Sequence, residues 1–171
     1  MSSARPLVYA AFPEAPLPDM TLQEAELADY TLDREIPDEE WQAAQKAGEG
    51  VAWSRVPLEV LLSCPAALSH ISEIGFVYFT PAYICAALDH LKEPKSQTED
   101  LVGSTVFHLT HTETNYSLSR LKLFSAEQRG AIVAFLSEVA AAGGFTGNEA
   151  RVGLESYWLT PEASEALICV P

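Results

Sequence analysis

Basic residues are scarce in this 171-residue sequence: ten Lys and Arg stand against 24 Asp and Glu, for a formal charge of −14. Gripping a phosphate backbone needs clustered cations, so nucleic acid is not an expected partner. Anionic membrane surfaces are disfavoured for the same reason. Long apolar runs are also lacking: each stretch is interrupted well before the roughly 20 residues of a spanning helix. No apolar signal-type region follows the opening Met-Ser-Ser-Ala-Arg-Pro. Cysteine is limited to Cys64, Cys85 and Cys169, an odd number without a Cys-x-x-Cys pair. A disulfide framework would need a denser, even set, so reduced thiols and a cytoplasmic location are expected.

Catalytic signatures are equally sparse. No Gly-x-Ser-x-Gly elbow occurs, and Gly103-Ser104-Thr105 lacks the Gly-x-x-x-x-Gly-Lys frame of a phosphate loop. Cys64 precedes a proline and Cys85 lies in an apolar pattern, neither a setting for an activated thiolate. The single His-x-x-His, His108 and His111, is a weak candidate for metal, with Glu113 as a conceivable third ligand. Its β-branched surroundings suggest a strand or loop, and a strand would send residues three apart to opposite faces. No metal and no cofactor is expected, and the balance of signals leans away from an enzyme.

What is present is core material. Hydrophobic residues make up 48% and charged residues 20%, enough to fold, and the length suits one domain. Residues 1–19 carry Pro6, Pro13, Pro16 and Pro18 and read as an extended lead-in. Residues 20–171 read as one globular unit: an acidic helical segment 20–50, an aromatic core 51–92, a polar loop 93–103 and a C-terminal helical part 104–171. Thr21 with Glu24, and Ser125 with Gln128, have capping-box spacing and predict helix starts. Pro37 followed by Asp38, Glu39 and Glu40 predicts another. The run Phe76-Val77-Tyr78-Phe79 between Gly75 and Pro81 reads as a short buried strand, with a helix from Pro81 to about Lys92. Residues 104–112 are ambiguous between strand and loop. Ile132, Phe135, Leu136 and Val139 form a helical face closed by Gly143-Gly144. A helix is predicted over Asn148–Trp158, weakened at Gly153, and a short one beyond Thr160. These elements add up to a single compact α+β domain, mainly α-helical, with two or three short strands.

Four blocks occur in order: Trp53-x-x-Val56-Pro57; Gly75-Phe76-x-Tyr78-Phe79-x-Pro81-Ala82-Tyr83; Phe124-Ser125-x-Glu127-Gln128-Arg129 with Phe135-Leu136; and Tyr157-Trp158. This arrangement resembles an uncharacterised bacterial family, a domain of unknown function, over roughly residues 20–158. Val77 stands where that pattern commonly has a basic residue, and residues 159–171 lie beyond it. The resemblance implies a fold boundary and brings no activity, cofactor or catalytic residue.

Charge is unevenly placed. Residues 14–49 hold eleven acids against Arg34 and Lys46, so a net −9 of the chain's −14 sits there. A face containing Asp33, Glu35, Asp38, Glu39, Glu40 and Trp41 is the candidate site for a basic protein partner, which such a charge would steer. The corresponding function is a small protein-binding module of the immunity or antitoxin kind. Two alternatives stand beside it. One is a small-molecule or catalytic cleft formed by Tyr78, Tyr83, Gln128 and Arg129. The other is a homo-oligomer subunit with Trp41 or Trp158 exposed at its interface.

Overall fold

The computed structural model describes residues 2–91 and 96–160. Ten α-helices follow one another among these residues: α1 (Ala4–Ala11), α2 (Leu22–Tyr30), α3 (Asp38–Gly48), α4 (Leu58–Ser63), α5 (Ala67–His70), α6 (Glu73–His90), α7 (Ser96–Thr110), α8 (Asn115–Leu121), α9 (Ala126–Ala142) and α10 (Gly144–Gly153). A 3₁₀ turn at Trp53–Arg55 precedes α4, and a π-helical turn at Leu154–Trp158 continues α10. The described residues contain no strand, so the fold is all-α and the expected α+β class is overturned.

The aromatic run 76–79 explains the correction. It lies inside α6, whose Ser72 hydroxyl accepts from Gly75 N–H at 3.2 Å and starts the helix. A short apolar run flanked by Gly and Pro does not distinguish a buried strand from a helix packed on all sides. Pro81 sits within α6 rather than opening a helix. It has no N–H for the Val77 carbonyl, and one residue earlier the Thr80 hydroxyl donates to Phe76 C=O at 2.7 Å. Residues 104–110 are helical as well, as part of α7. Thr105 and Thr110 hydroxyls donate to the carbonyls of Leu101 and Val106, at 2.7 and 2.9 Å, seating β-branched residues in a helix. Leu101, Val102, Thr105, Val106 and Leu109 are buried at helical spacing. The loop expected at 93–103 is helical from Ser96; residues 93–95, Cys169 and the helix expected beyond Thr160 lie outside the described residues.

The N-terminal lead-in is likewise not wholly extended. Pro6 lies in the first turn of α1, where an N–H has no helical partner to lose. Ala4, Val8 and Phe12 bury one face, chiefly against α9 and also against α6. Glu138 of α9 caps this helix: the backbone N–H groups of Ser3 and Ala4 and the hydroxyls of Ser2 and Ser3 donate to its Oε1 at 2.7–3.0 Å.

At the centre, α6 packs on α7, α10 on both α7 and α9, and α2 on α5; α3 lies outermost and packs chiefly on α2. Phe124 gathers the rings of Phe12, Phe76 and Trp158 at centroid distances of 5.6–6.2 Å. Trp158 donates from Nε1 to Leu109 C=O at 2.6 Å and is buried, so it is not an exposed interface residue. Gly153 lets α10 approach α7: a Cβ there would lie 2.3 Å from Thr110 Cγ2.

Candidate functional site

The acidic segment separates into carboxylates with internal work and carboxylates without. Glu24 closes the α2 capping box on Thr21 N–H at 2.8 Å. Glu26 turns inward and accepts from Ala66 N–H at 2.9 Å. Its carboxyl titrates above the usual range, chiefly because burial penalises the charge. Glu14 accepts from the Ser54 hydroxyl, Asp19 from the Ser72 hydroxyl at 3.0 Å, and Asp29 pairs with His70 at 3.0 Å. These five stabilise the fold and offer less to a partner.

Of the other six, Glu49 follows the far end of α3, and five collect where α2 turns into α3. Backbone N–H groups of Leu32, Asp33 and Arg34 close a turn on Asp29 and Tyr30 carbonyls, and buried Ile36 anchors the connection. Asp38, Glu39 and Glu40 then occupy the first turn of α3, where their charge complements the exposed helix N–H groups. Arg34 grips Glu40 with two hydrogen bonds of 3.0 and 2.6 Å, which hold that carboxyl below its usual range. Asp33, Glu35, Asp38 and Glu39 are exposed, and Trp41 is half-buried beside them in sequence. The candidate face is thus narrower than the −9 segment that suggested it.

The four residues of the alternative cleft do not converge. Tyr83 donates to Cys64 C=O at 2.8 Å in the interior, and burial pushes its hydroxyl pKa up. Arg129 is buried, donating to Leu121 C=O at 3.1 Å with its guanidinium 4.9 Å from the Trp158 ring centroid. Tyr78 and Gln128 do meet, in a groove of about 310 Å³ that Phe12, Pro13, Ile74 and Leu123 also line. Helical geometry is the cause. Tyr78 and Tyr83, five residues apart, sit about 140° apart around α6, and consecutive Gln128 and Arg129 about 100° apart around α9. The sequence reading took Tyr78 and Tyr83 from opposite sides of one helix and missed Ile74 and Leu123. Ile74, Val77 and Tyr78 at i, i+3 and i+4 were the signal that marks this wall.

His108 and His111 belong to the end of α7 and the residue after it, so the strand argument against a shared ion fails. Both rings instead contact Phe107, at 5.4 and 4.8 Å between centroids. Burial, then Arg120 and the other histidines, pushes the His108 pKa down to about 4. Among the described residues no three His, Cys, Asp or Glu side chains are grouped to hold a metal. Cys64 and Cys85 are buried free thiols, and burial raises both, Cys85 to about 11. No described helix is long and apolar enough to cross a membrane.

A family model described as a family of unknown function (DUF6714) matches residues 2–161. The chain belongs to that family. Membership agrees with the resemblance to an uncharacterised family and extends it through α1 at one end and past Trp158 at the other. No curated protein and no solved structure matches the chain. The family assigns no activity, and the function of the chain is uncharacterised.

Proposed function

We propose that this chain is a small cytosolic, non-enzymatic binding module whose acidic α2–α3 connection meets a basic protein partner, as an immunity or antitoxin protein masks a cationic cleft. One observation carries the reading: Asp33, Glu35, Asp38 and Glu39 are exposed, while Arg34, the nearest cation in sequence, is spent on Glu40. Other arginines are also engaged within the chain. Arg5 pairs with Asp89 at 2.5 Å and Arg151 with Glu155 at 3.0 Å, and Arg120 and Arg129 are buried. These pairings leave the net charge at −14, and a field of that sign raises encounter rates with cationic proteins. The test is affinity capture from the native host with wild type and with a D38K/E39K/E40K variant. A basic protein retained by wild type and lost by the variant supports the reading; identical captured proteins contradict it.

A further inference from the structure

We propose that the groove between the Phe12–Pro16 turn and the starts of α6 and α9 docks a lysine- or arginine-rich segment of a protein partner, seating one of its large apolar side chains against Ile74 and Leu123. This goes beyond the reading above and shares with it only a basic partner. The volume of about 310 Å³ falls at the small end of ligand-sized sites, enough for an anchoring side chain with its neighbours. Ile74 is 64% and Leu123 44% exposed, so aliphatic surface is left uncovered on its walls.

The groove is preformed, and its Tyr78 hydroxyl and Gln128 amide oxygen are already engaged. Tyr78 OH donates to Glu14 C=O at 2.8 Å, tying the Pro13–Pro16 wall to α6. Gln128 Oε1 accepts from Ser125 N–H at 2.9 Å in the α9 capping box. A polar small molecule finds few free directional groups there, whereas an apolar anchor finds a fixed seat. Charge selects the rest of the occupant. No residue lining the groove is basic and Glu73 is acidic. Glu127 adjoins Gln128, and Lys122 beside Leu123 is a single opposing charge. A second copy carrying −14 is repelled, and a cationic segment is attracted. An amphipathic segment laid apolar side down is the recognition mode that fits.

The probe is a dye-labelled synthetic amphipathic peptide of leucine and lysine, titrated by fluorescence anisotropy against wild type and the neutral variants I74S and L123S. Both positions are exposed, so the variants keep the fold and the charge. The expected result is saturable binding weakened about tenfold by each substitution, the scale of losing a side chain's apolar burial. A leucine–glutamate peptide is expected to show no binding, and amide shifts from the lysine peptide should fall on residues 12–16, 73–78 and 123–128. Unchanged affinity in both serine variants, equal binding of the glutamate peptide, shifts confined to residues 33–41, or a concentration-dependent dimer abolished by I74S would each overturn the groove proposal. Shifts at 33–41 with D38K/E39K abolishing binding would leave the acidic-face reading standing while the groove proposal fails. Groove shifts with affinity insensitive to D38K/E39K would do the reverse.

Discussion

The aromatic centre and the α2–α3 connection use charge in opposite ways. At the centre, Arg120 and Arg129 are buried with no carboxylate paired to either among the described residues. Arg120 donates to the carbonyls of Leu68 and Ile71 and lies 3.8 Å from the Phe76 ring centroid. Burial pulls its pKa down, with Tyr116 and Glu73 opposing. Arg129 is held by Leu121 C=O and the rings of Tyr157 and Trp158. In the connection, Asp33, Glu35, Asp38 and Glu39 stand exposed, and Arg34 pairs with Glu40. Two arginines are drawn inward at the centre, and Asp33, Glu35, Asp38 and Glu39 stay outward in the connection. Packing is concentrated in one region and surface charge in the other, so substitutions should separate stability from binding.

The sharpest way to break that separation is Phe76→Ala, which removes a ring packed on Phe124 and covered by Arg120. A loss of about 3–5 kcal/mol in denaturant unfolding is expected. Gly153→Ala should cost about 1–3 kcal/mol, because the new methyl meets Thr110 across the α7–α10 contact. Glu138→Ala should cost about 1 kcal/mol, the usual scale of a lost cap, and deprotect α1 amides in hydrogen exchange before α6 amides. The Glu138 carboxyl is raised by burial but lowered overall by the donors of Ala4, Ser3 and Ser2. Its folded pKa lies below the unfolded one, so this stabilisation is present above the ordinary carboxylate range and fades as pH falls through the folded value. His108 carries the opposite kind of charge with the same direction of pH effect. Between about 6.5 and about 4 the unfolded histidine binds a proton that the folded one refuses, so stability falls as pH drops through that window. His108→Gln should flatten that slope in urea titrations at stepped pH. The smallest effect belongs to the connection: D33K/E35K, at exposed positions outside any helix, should move stability by no more than about 0.5 kcal/mol.

Helix starts were legible because caps are local. Thr21 with Glu24, Ser125 with Gln128, and Pro37 before three acids each specify a boundary within four residues, and the structure places α2, α9 and α3 there. The buried face Ile132, Phe135, Leu136 and Val139 was legible from period alone. What escaped depends on distant partners or on environment. The cap of α1 is Glu138, more than 130 residues away. The aromatic run of α6 buries Phe76, Tyr78 and Phe79 on different sides of one helix, which no local pattern announces. In α7 the spacing of Leu101, Val102, Thr105, Val106 and Leu109 carried the helix, but β-branched composition and a polar start masked it. The candidate acidic site was legible as a cluster, yet its true extent was not. Glu26 looks like any other acid in the sequence, and only the fold shows that it caps α5 from within. The groove needed three separated segments to meet, and of its walls only Tyr78 and Gln128 were named from the residues.

The proposed role of exposed Asp33, Glu35, Asp38 and Glu39 is to steer a basic partner. It is tested most directly by the ionic-strength dependence of the association rate between the captured partner and the chain, for wild type and D38K/E39K/E40K. The account predicts a low-salt rate slower by about tenfold or more in the variant, with a flattened salt slope. An equal rate and an equal slope would contradict it.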